Sequence, residues 1–417
     1  MAGAWWSWIA AAVIAVALGA FPYTYYYSRD DVAAFPSIQQ ILLAGIGVGY
    51  GGSNNKTEPL RPCFPALFGF GSSMADTGNY ATIYPSRTRA SGQSYFAKPS
   101  NRFSDGRLLI DFWAQALNVP LLSPYLRVIG ADFARGVNFA CTGSTARQDS
   151  IWGSYPLSVQ LDQFKAFKQA SLDAGLQGSL PSKEAFEKGL YIIAIGGNDL
   201  IQEYFHKNLT VEAAQQYVPE VSQAIVRVVE ELYKEGARTI LVEDVYPQGC
   251  TPNILSQAAI LNENLDAAGC SKPYNDNVKL HNKLLKEAIL NLNTKLKDPS
   301  IIFVDTYSVR YEIIANASLY GFTEPIKACC GAGERYNFDM KSFCGWSKLI
   351  DGKVVSANSC SNPKQHVNWD GIHFTDEFNY QTMKQILTEA YFHPNFPISQ
   401  ICDIKDLHVA NFSFWVG

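Results

Sequence analysis

Short, mostly apolar runs recur along this chain between helix-length amphipathic segments, and few folds accept that alternation. The runs cover 66–71, 136–141, 190–195, 239–245 and 301–305 and are rich in β-branched and aromatic residues. A strand buried on both faces carries such a continuous run, whereas a half-exposed strand alternates. The intervening segments are 105–117, with Ser104 as its cap, then 211–236, 274–296 with Leu and Ile at helical spacing, and 377–392. This pattern predicts a doubly wound α/β sheet, whose ligands sit at the carboxyl ends of the strands. The alternation begins after Cys63.

The region before Cys63 is of another kind. Residues 4–21, AWWSWIAAAVIAVALGAF, carry no charge, and the first charged residue is Arg29. The run is long for a signal-peptide core and short for a comfortable membrane span. Ala15, Ala17 and Gly19 suit signal peptidase. We read 1–28 as a signal peptide or, if uncleaved, a signal anchor, 29–62 as a linker, and 63–417 as a single domain. Length alone would allow two or three domains. No later apolar stretch reaches spanning length, which excludes a multi-pass protein. The linker holds Gly47-x-Gly49-x-x-Gly52, the letters of a dinucleotide fingerprint. SNNKTEPLRP follows where a helix would have to start, so we reject that motif and expect no cofactor.

Charge removes another class. Lys and Arg number 34 against 38 Asp and Glu, a net of −4 with no long run of one sign. The basic face that displaces counterions from nucleic acid is missing. The 47% apolar content rules out a disordered chain. Aromatics reach 13%, a surplus that usually fills a core and sometimes lines a carbohydrate cleft.

Nine cysteines form neither a CxxC pair nor a Cys/His cluster at zinc spacing. With sequons at Asn55, Asn208, Asn316 and Asn411 and the apolar N-terminus, they predict the secretory route and disulfides. Cys250 and Cys270 flank an insertion after a strand. Cys329, Cys330, Cys344 and Cys360 crowd the segment before Asp370. A bond between adjacent Cys329 and Cys330 is strained, which leaves two connectivities, and we favour Cys330–Cys344 with Cys329–Cys360. Cys63 and Cys402 bracket the domain and could tie its ends. Cys141, inside an apolar strand, is left as a buried thiol.

Four segments at strand ends could carry chemistry. In 68–79 a strand runs into Gly71, Ser72 and Ser73, and a serine there can present its hydroxyl at the mouth of the sheet. In Asp370-Gly-Ile-His373 a carboxylate three residues before an imidazole can bond Nδ1, fix the tautomer and stabilise the imidazolium. In Ile195-Gly-Gly-Asn-Asp199 the Asn198 amide can donate to an oxyanion. Residues 136–145, GVNFACTGST, end a strand in small residues whose N–H groups could face the same crevice. Each segment alone also reads as an ordinary turn or helix cap. Neither HExxH, a Walker loop nor a strict GxSxG elbow is present.

These blocks together resemble the GDSL esterase/lipases of the SGNH hydrolase superfamily, in the secreted plant branch and nearest its early-nodulin and acetylesterase subgroup. FGSSMADTGN, GVNFACTGST, IGGND and VNWDGIHFT carry the resemblance in the family's order and spacing, with NRFSDGRLLIDF and YND beside them. The resemblance implies a flavodoxin-like three-layer α/β/α fold with a mainly parallel five-stranded sheet. It implies Ser73 as nucleophile, His373 as general base, Asp370 as its orienting partner, and Gly143 and Asn198 as oxyanion donors beside the Ser73 N–H. The family's Gly-Asp-Ser is Gly71-Ser72-Ser73 here, so a carboxylate outside the triad is missing. The implied activity is hydrolysis of carboxylic esters through an acyl-enzyme, releasing acetyl or another short acyl group from a glycoside or wall polysaccharide. Rival readings are a lipid-ester lipase, an acyltransferase, or a weakened carbohydrate-binding relative. The expected setting is a secreted monomer in the cell wall, or a Golgi membrane protein if the N-terminal segment is retained. The expected partner is a small-molecule or polysaccharide ester, and any membrane contact runs through that segment alone.

Overall fold

Five parallel strands form the centre of the molecule: β1 (Leu67–Gly71), β2 (Gly136–Asn138), β3 (Leu190–Ala194), β4 (Thr239–Glu243) and β5 (Ser300–Val304). Nearly every residue in them is buried, because helices cover both faces. The strand order is β5-β4-β3-β1-β2. The chain leaves β1 towards β2, then returns to the opposite side of β1 for β3. Such a reversal opens a crevice at the carboxyl ends, where flavodoxin-like folds bind their ligands. A sixth strand, Phe392–His393, runs antiparallel along the outer edge of β5. It comes from the tail of the segment read as helix 377–392, whose helix stops at Ile386.

This computed structural model describes residues 63–407, apart from 86–89, 128, 150–154, 175–177, 206, 208 and 258–263. The chain divides into two units, Met1–Glu58 and Pro59–Gly417, and the described residues belong to the second. The N-terminal apolar run, the linker glycine motif and the sequons at Asn55, Asn208 and Asn411 lie outside the described residues. Asn316, at the end of helix Thr306–Ala315, is exposed. Among the described residues no helix is long and apolar enough to cross a membrane.

Helix patterning follows burial. In helix Val218–Lys234, Val221, Ile225, Val228, Val229 and Leu232 make one buried stripe. Pro219 sits in its first turn, where a missing N–H costs nothing, so the segment read as one helix from 211 is broken before it. Helix Lys272–Lys295 packs on this helix. Helix Leu157–Ala174, absent from the sequence reading, buries Phe164 and Phe167 among Phe68, Phe70, Phe139, Phe186 and Tyr191. Much of the aromatic surplus is therefore core.

The expected cap at Ser104 is not used. The helix begins at Leu109, and Asp111 reaches back to accept the Leu108 N–H at 2.9 Å. Residues 105–107 are instead taken up by contacts to a distant helix, described below.

Four disulfides join Cys63–Cys402, Cys250–Cys270, Cys329–Cys360 and Cys330–Cys344, and Cys141 is a buried free thiol. Burial pushes that thiol far above its ordinary range, so it is inert as a nucleophile. Thiol titration of the unfolded, unreduced protein should therefore give one reactive group. Five or more would contradict this arrangement.

Candidate active site

β1 delivers the first loop. Gly71 has φ 149°, and a Cβ there would lie 2.3 Å from the Ala194 carbonyl oxygen of β3. Glycine is thus required by close approach of two backbones. Buried Gln160 clamps the same residue, accepting the Gly71 N–H at 2.9 Å and donating to its carbonyl at 2.8 Å. The Ser72 N–H continues onto Ala194 O at 3.2 Å, and Ser73 follows, 6% exposed, in the turn.

Asp76 joins this loop to the one after β2. Its carboxylate accepts from the N–H groups of Gly78, Asn79 and Tyr80 at 2.8, 2.7 and 3.1 Å. It also accepts from Thr142, through N–H at 2.8 Å and Oγ1 at 3.0 Å. Gly143, with φ 82°, is the next residue. Burial raises the Asp76 carboxyl above its usual range despite these five donors. Asn79 and Asn138 add a second tie. Asn79 donates to the Asn138 and Ala140 carbonyls, and Asn138 donates to Ala75 O and Thr77 Oγ1.

The β2 loop is tied in turn to helix Gly197–Phe205 after β3. Asn198 Nδ2 donates to Ser144 O at 2.9 Å. That uses one of its two amide protons and leaves one for the cavity. Buried Asp199 accepts the N–H groups of Ala146 and Arg147 at 2.8 and 3.0 Å. Burial pushes its carboxyl up to about 7, against those bonds and the nearby Arg147 charge. Arg147 itself bridges to Glu203, Glu220 and Asp149.

The last loop carries Asp370 and His373. Asp370 Oδ1 accepts the N–H groups of Ile372 and His373 at 3.0 and 2.8 Å, and Oδ2 meets His373 Nδ1 at 2.7 Å. Burial alone would raise this carboxyl, but the His373 charge and these hydrogen bonds outweigh it and hold it below the carboxylate range. The Phe103 ring lies 5.0 Å from the imidazole. Neighbouring segments hold the loop. Asn253 N–H donates to Gly371 O, and the N–H groups of disulfide-bonded Cys329 and Cys330 donate to Asn368 O and Trp369 O. His366 is half-buried on strand His366–Asn368, its Nδ1 3.3 Å from Lys327 O.

Behind His373, Asp376 receives the Arg107 guanidinium through Nε at 2.9 Å and a terminal nitrogen at 2.8 Å, while its own N–H donates to Asp105 at 2.8 Å. Asp105, also bonded by Ser94, is pushed up to about 6, chiefly by burial. These contacts are what hold 105–107 out of the helix.

Ser73, Gly143, Asn198, Asp370 and His373 thus come from three loops and the first turn of helix Gly197–Phe205, and line one cavity of about 270 Å³. Among the described residues no hydrogen bond joins Ser73 to His373, and in ligand-free sites such bonds are often long and tighten with substrate. Among the described residues no cluster of His, Cys, Asp and Glu could hold a metal. Asp76, Gln160 and Arg107 were not singled out from the sequence. Asp76 and Arg107 do stand inside the quoted blocks FGSSMADTGN and NRFSDGRLLIDF, the only signal that could have found them.

A mainly parallel sheet with this reversed strand order, carrying its cavity at the carboxyl ends, is the fold of an SGNH-type hydrolase. Residues 67–386 match the family described as GDSL-like Lipase/Acylhydrolase. A GDSL esterase/lipase of Arabidopsis thaliana is 39% identical over 81% of this chain and 91% of its own length. An esterase of Hevea brasiliensis is 36% identical over 81% and 89%, and Alpha-L-fucosidase 3 of Arabidopsis thaliana 35% identical over 76% and 88%. Among solved structures, an acetylxylan esterase of Geobacillus stearothermophilus aligns at 14% identity with TM-score 0.35, over 78% of this chain and 93% of that one. The chain belongs to the GDSL lipase/acylhydrolase family and is a carboxylic-ester hydrolase.

Two consequences are measurable. Asp76→Ala strands several buried N–H groups, each costing about 1–3 kcal/mol. Urea unfolding should show a loss of at least about 3 kcal/mol, with a lowered kcat; a loss under about 1 kcal/mol would mean the loops hold themselves. The second concerns pH. Asp105 at about 6 and Asp199 at about 7 keep protons in the folded state where an unfolded carboxyl, near 4, has lost them. Through these two carboxyls the folded state binds more protons across that window, so their contribution to stability falls as pH rises from about 4 to about 7; buried His281, held down to about 4, offsets part of this below about 6.5. Asp370 acts oppositely, its contribution being lost only on acidification below about 4. The Tm at pH 5 should exceed that at pH 8, and a reversed order would contradict the assignment.

Proposed function

We propose that Ser73 is the nucleophile of an acyl-enzyme mechanism that removes acetyl or another short acyl group from a glycoside or polysaccharide. The observation that carries this reading is the convergence of Ser73, Gly143, Asn198, Asp370 and His373 on one cavity, with His373 Nδ1 already engaged by Asp370. Nε2 is then the free base. It takes the Ser73 hydroxyl proton as Oγ attacks the ester carbonyl. Donors at Gly143, Asn198 and the Ser73 N–H receive the oxyanion. The imidazolium passes its proton to the departing alkoxide, and water repeats the sequence on the acyl-enzyme to release the carboxylic acid. Ser72, which stands where the family has Asp, has none of these roles.

Tyr80, Phe103, Phe343 and Trp346 also line the cavity. Such rings suit the apolar faces of sugars, and the small volume suits a short acyl group. Glycosidic cleavage by the usual route needs two carboxylates flanking the bond. Among the described residues lining the cavity, Asp370 is the one carboxylate, and it is bound to His373. The fucosidase activity named for one relative therefore finds no second carboxylate here. Four disulfides and the exposed sequon asparagine Asn316 support a secreted protein.

A panel of p-nitrophenyl esters from acetate upward, with acetylated xylan, tests the reading. Turnover should be greatest on the shortest acyl chains. Ser73→Ala should lower kcat by about 10⁴–10⁶ with the fold intact, Asn198→Ala by roughly 10²–10³, and Ser72→Ala far less. If Ser72→Ala is the deadlier change, the nucleophile is misassigned.

A further inference from the structure

The segment beside the cavity mouth carries an excess of cations. From 340 to 364 the chain has Lys341, Lys348, Lys353 and Lys364 against Asp351 alone, a net of three positive charges in a chain of net −4. All four lysines are exposed, and none joins an ion pair among the described residues, whereas nine lysines elsewhere do. The segment is held in shape. Cys330–Cys344 and Cys329–Cys360 anchor it, and strands Ser347–Ile350 and Lys353–Ser356 pair antiparallel. Asp351 and Gly352, with φ 49° and 78°, make the two-residue turn such hairpins favour.

The register places Ile350 opposite Lys353 and Lys348 opposite Val355, so Lys348 and Lys353 share one face. Lys348 Nζ lies 5.0 Å from the centre of the Trp346 ring, and Trp346 lines the cavity. Within the cavity stands Arg102. Asp111 takes two of its N–H groups and Ser100 O a third, which leaves two of five. Buried Asp111 meets the Arg102 charge, so the uncompensated cations at the cavity edge are the hairpin lysines, with Lys348 beside Trp346.

We propose that this hairpin holds an acidic polysaccharide, a chain bearing uronate carboxylates, while an acyl ester on one of its sugars occupies the cavity. The proposal rests on the carbohydrate-ester reading above. Trp346 offers a ring to the sugar, and Lys348 and Lys353 meet carboxylates farther along the chain. A neutral glycan leaves these cations without a use. A lipid surface fits less well, because the exposed apolar pair, Leu349 opposite Val354, lies on the other face of the hairpin from the lysines.

The test compares acetylated polygalacturonate with acetylated xylan at low salt, for the wild type and Lys348→Glu/Lys353→Glu. The wild type should favour the acidic polymer. The double variant should raise its KM roughly five- to tenfold and move the KM for xylan by less than about twofold. The wild-type preference should collapse near 1 M salt, where the Debye length is about 3 Å. p-Nitrophenyl acetate separates the two readings. Failure to hydrolyse it overturns the ester reading and this proposal with it. Hydrolysis of it, with an acidic-to-neutral ratio that the variant leaves unmoved, overturns the hairpin proposal alone. Binding to phosphatidylserine vesicles that Leu349→Ser/Val354→Ser abolishes would also overturn it, in favour of a lipid surface.

Discussion

Carboxylates buried beneath the cavity and accepting backbone N–H groups are what the site depends on. The sheet brings the ends of β1, β2 and β3 side by side, but a strand end fixes only the start of a loop. Asp76 takes three N–H groups of its own loop and two donors of Thr142. Asp199 takes two N–H groups of the β2 loop from the helix after β3. Asp370 closes its own turn and holds His373. Each carboxylate turns loop donors that would otherwise be unsatisfied into a fixed geometry, and a reacting ester needs groups held to a fraction of an ångström.

The same arrangement has an electrostatic cost. Taking a carboxylate out of water is unfavourable unless its charge is met by donors or cations. Asp76 and Asp199 are met mainly by N–H dipoles, and burial still wins, so both titrate above the usual range. Asp370 faces His373 and is held low. Asp199 thus takes up its proton near pH 7, while Asp370 is held ionised to lower pH than an ordinary carboxyl.

The sheet was largely legible because fully buried strands need continuous apolar runs, and the five runs became strands with ends moved by a few residues at most. The helix ends were less so. The start at Leu109 depends on Asp105 and Arg107 reaching the segment around Asp376, some 270 residues away, which no local window contains. Pro219 marks the break before helix Val218–Lys234, since proline fits only a helix's first turn. The sixth strand, Phe392–His393, has two residues, too few to show a period. In the site, Ser73, Asp370, His373 and Asn198 each read alone as ordinary turn residues, and stood out only because their segments fall together at strand ends in the order and spacing of one family. Asp76 did not, since an aspartate before Thr-Gly-Asn reads as any turn residue until Thr142 is seen opposite. The cavity walls from 340–346 were hidden in a cysteine-rich segment whose shape follows from its disulfides.

The most direct test of the account is covalent labelling of the folded protein with a fluorophosphonate probe, followed by mapping of the modified peptide. If Ser73, which lines one cavity with His373 and Asn198, is the nucleophile we propose, it should react near stoichiometrically. The account predicts one adduct on Ser73, abolished by prior unfolding and by His373→Ala. Folded protein that takes up no probe, or an adduct on Ser72, would contradict it.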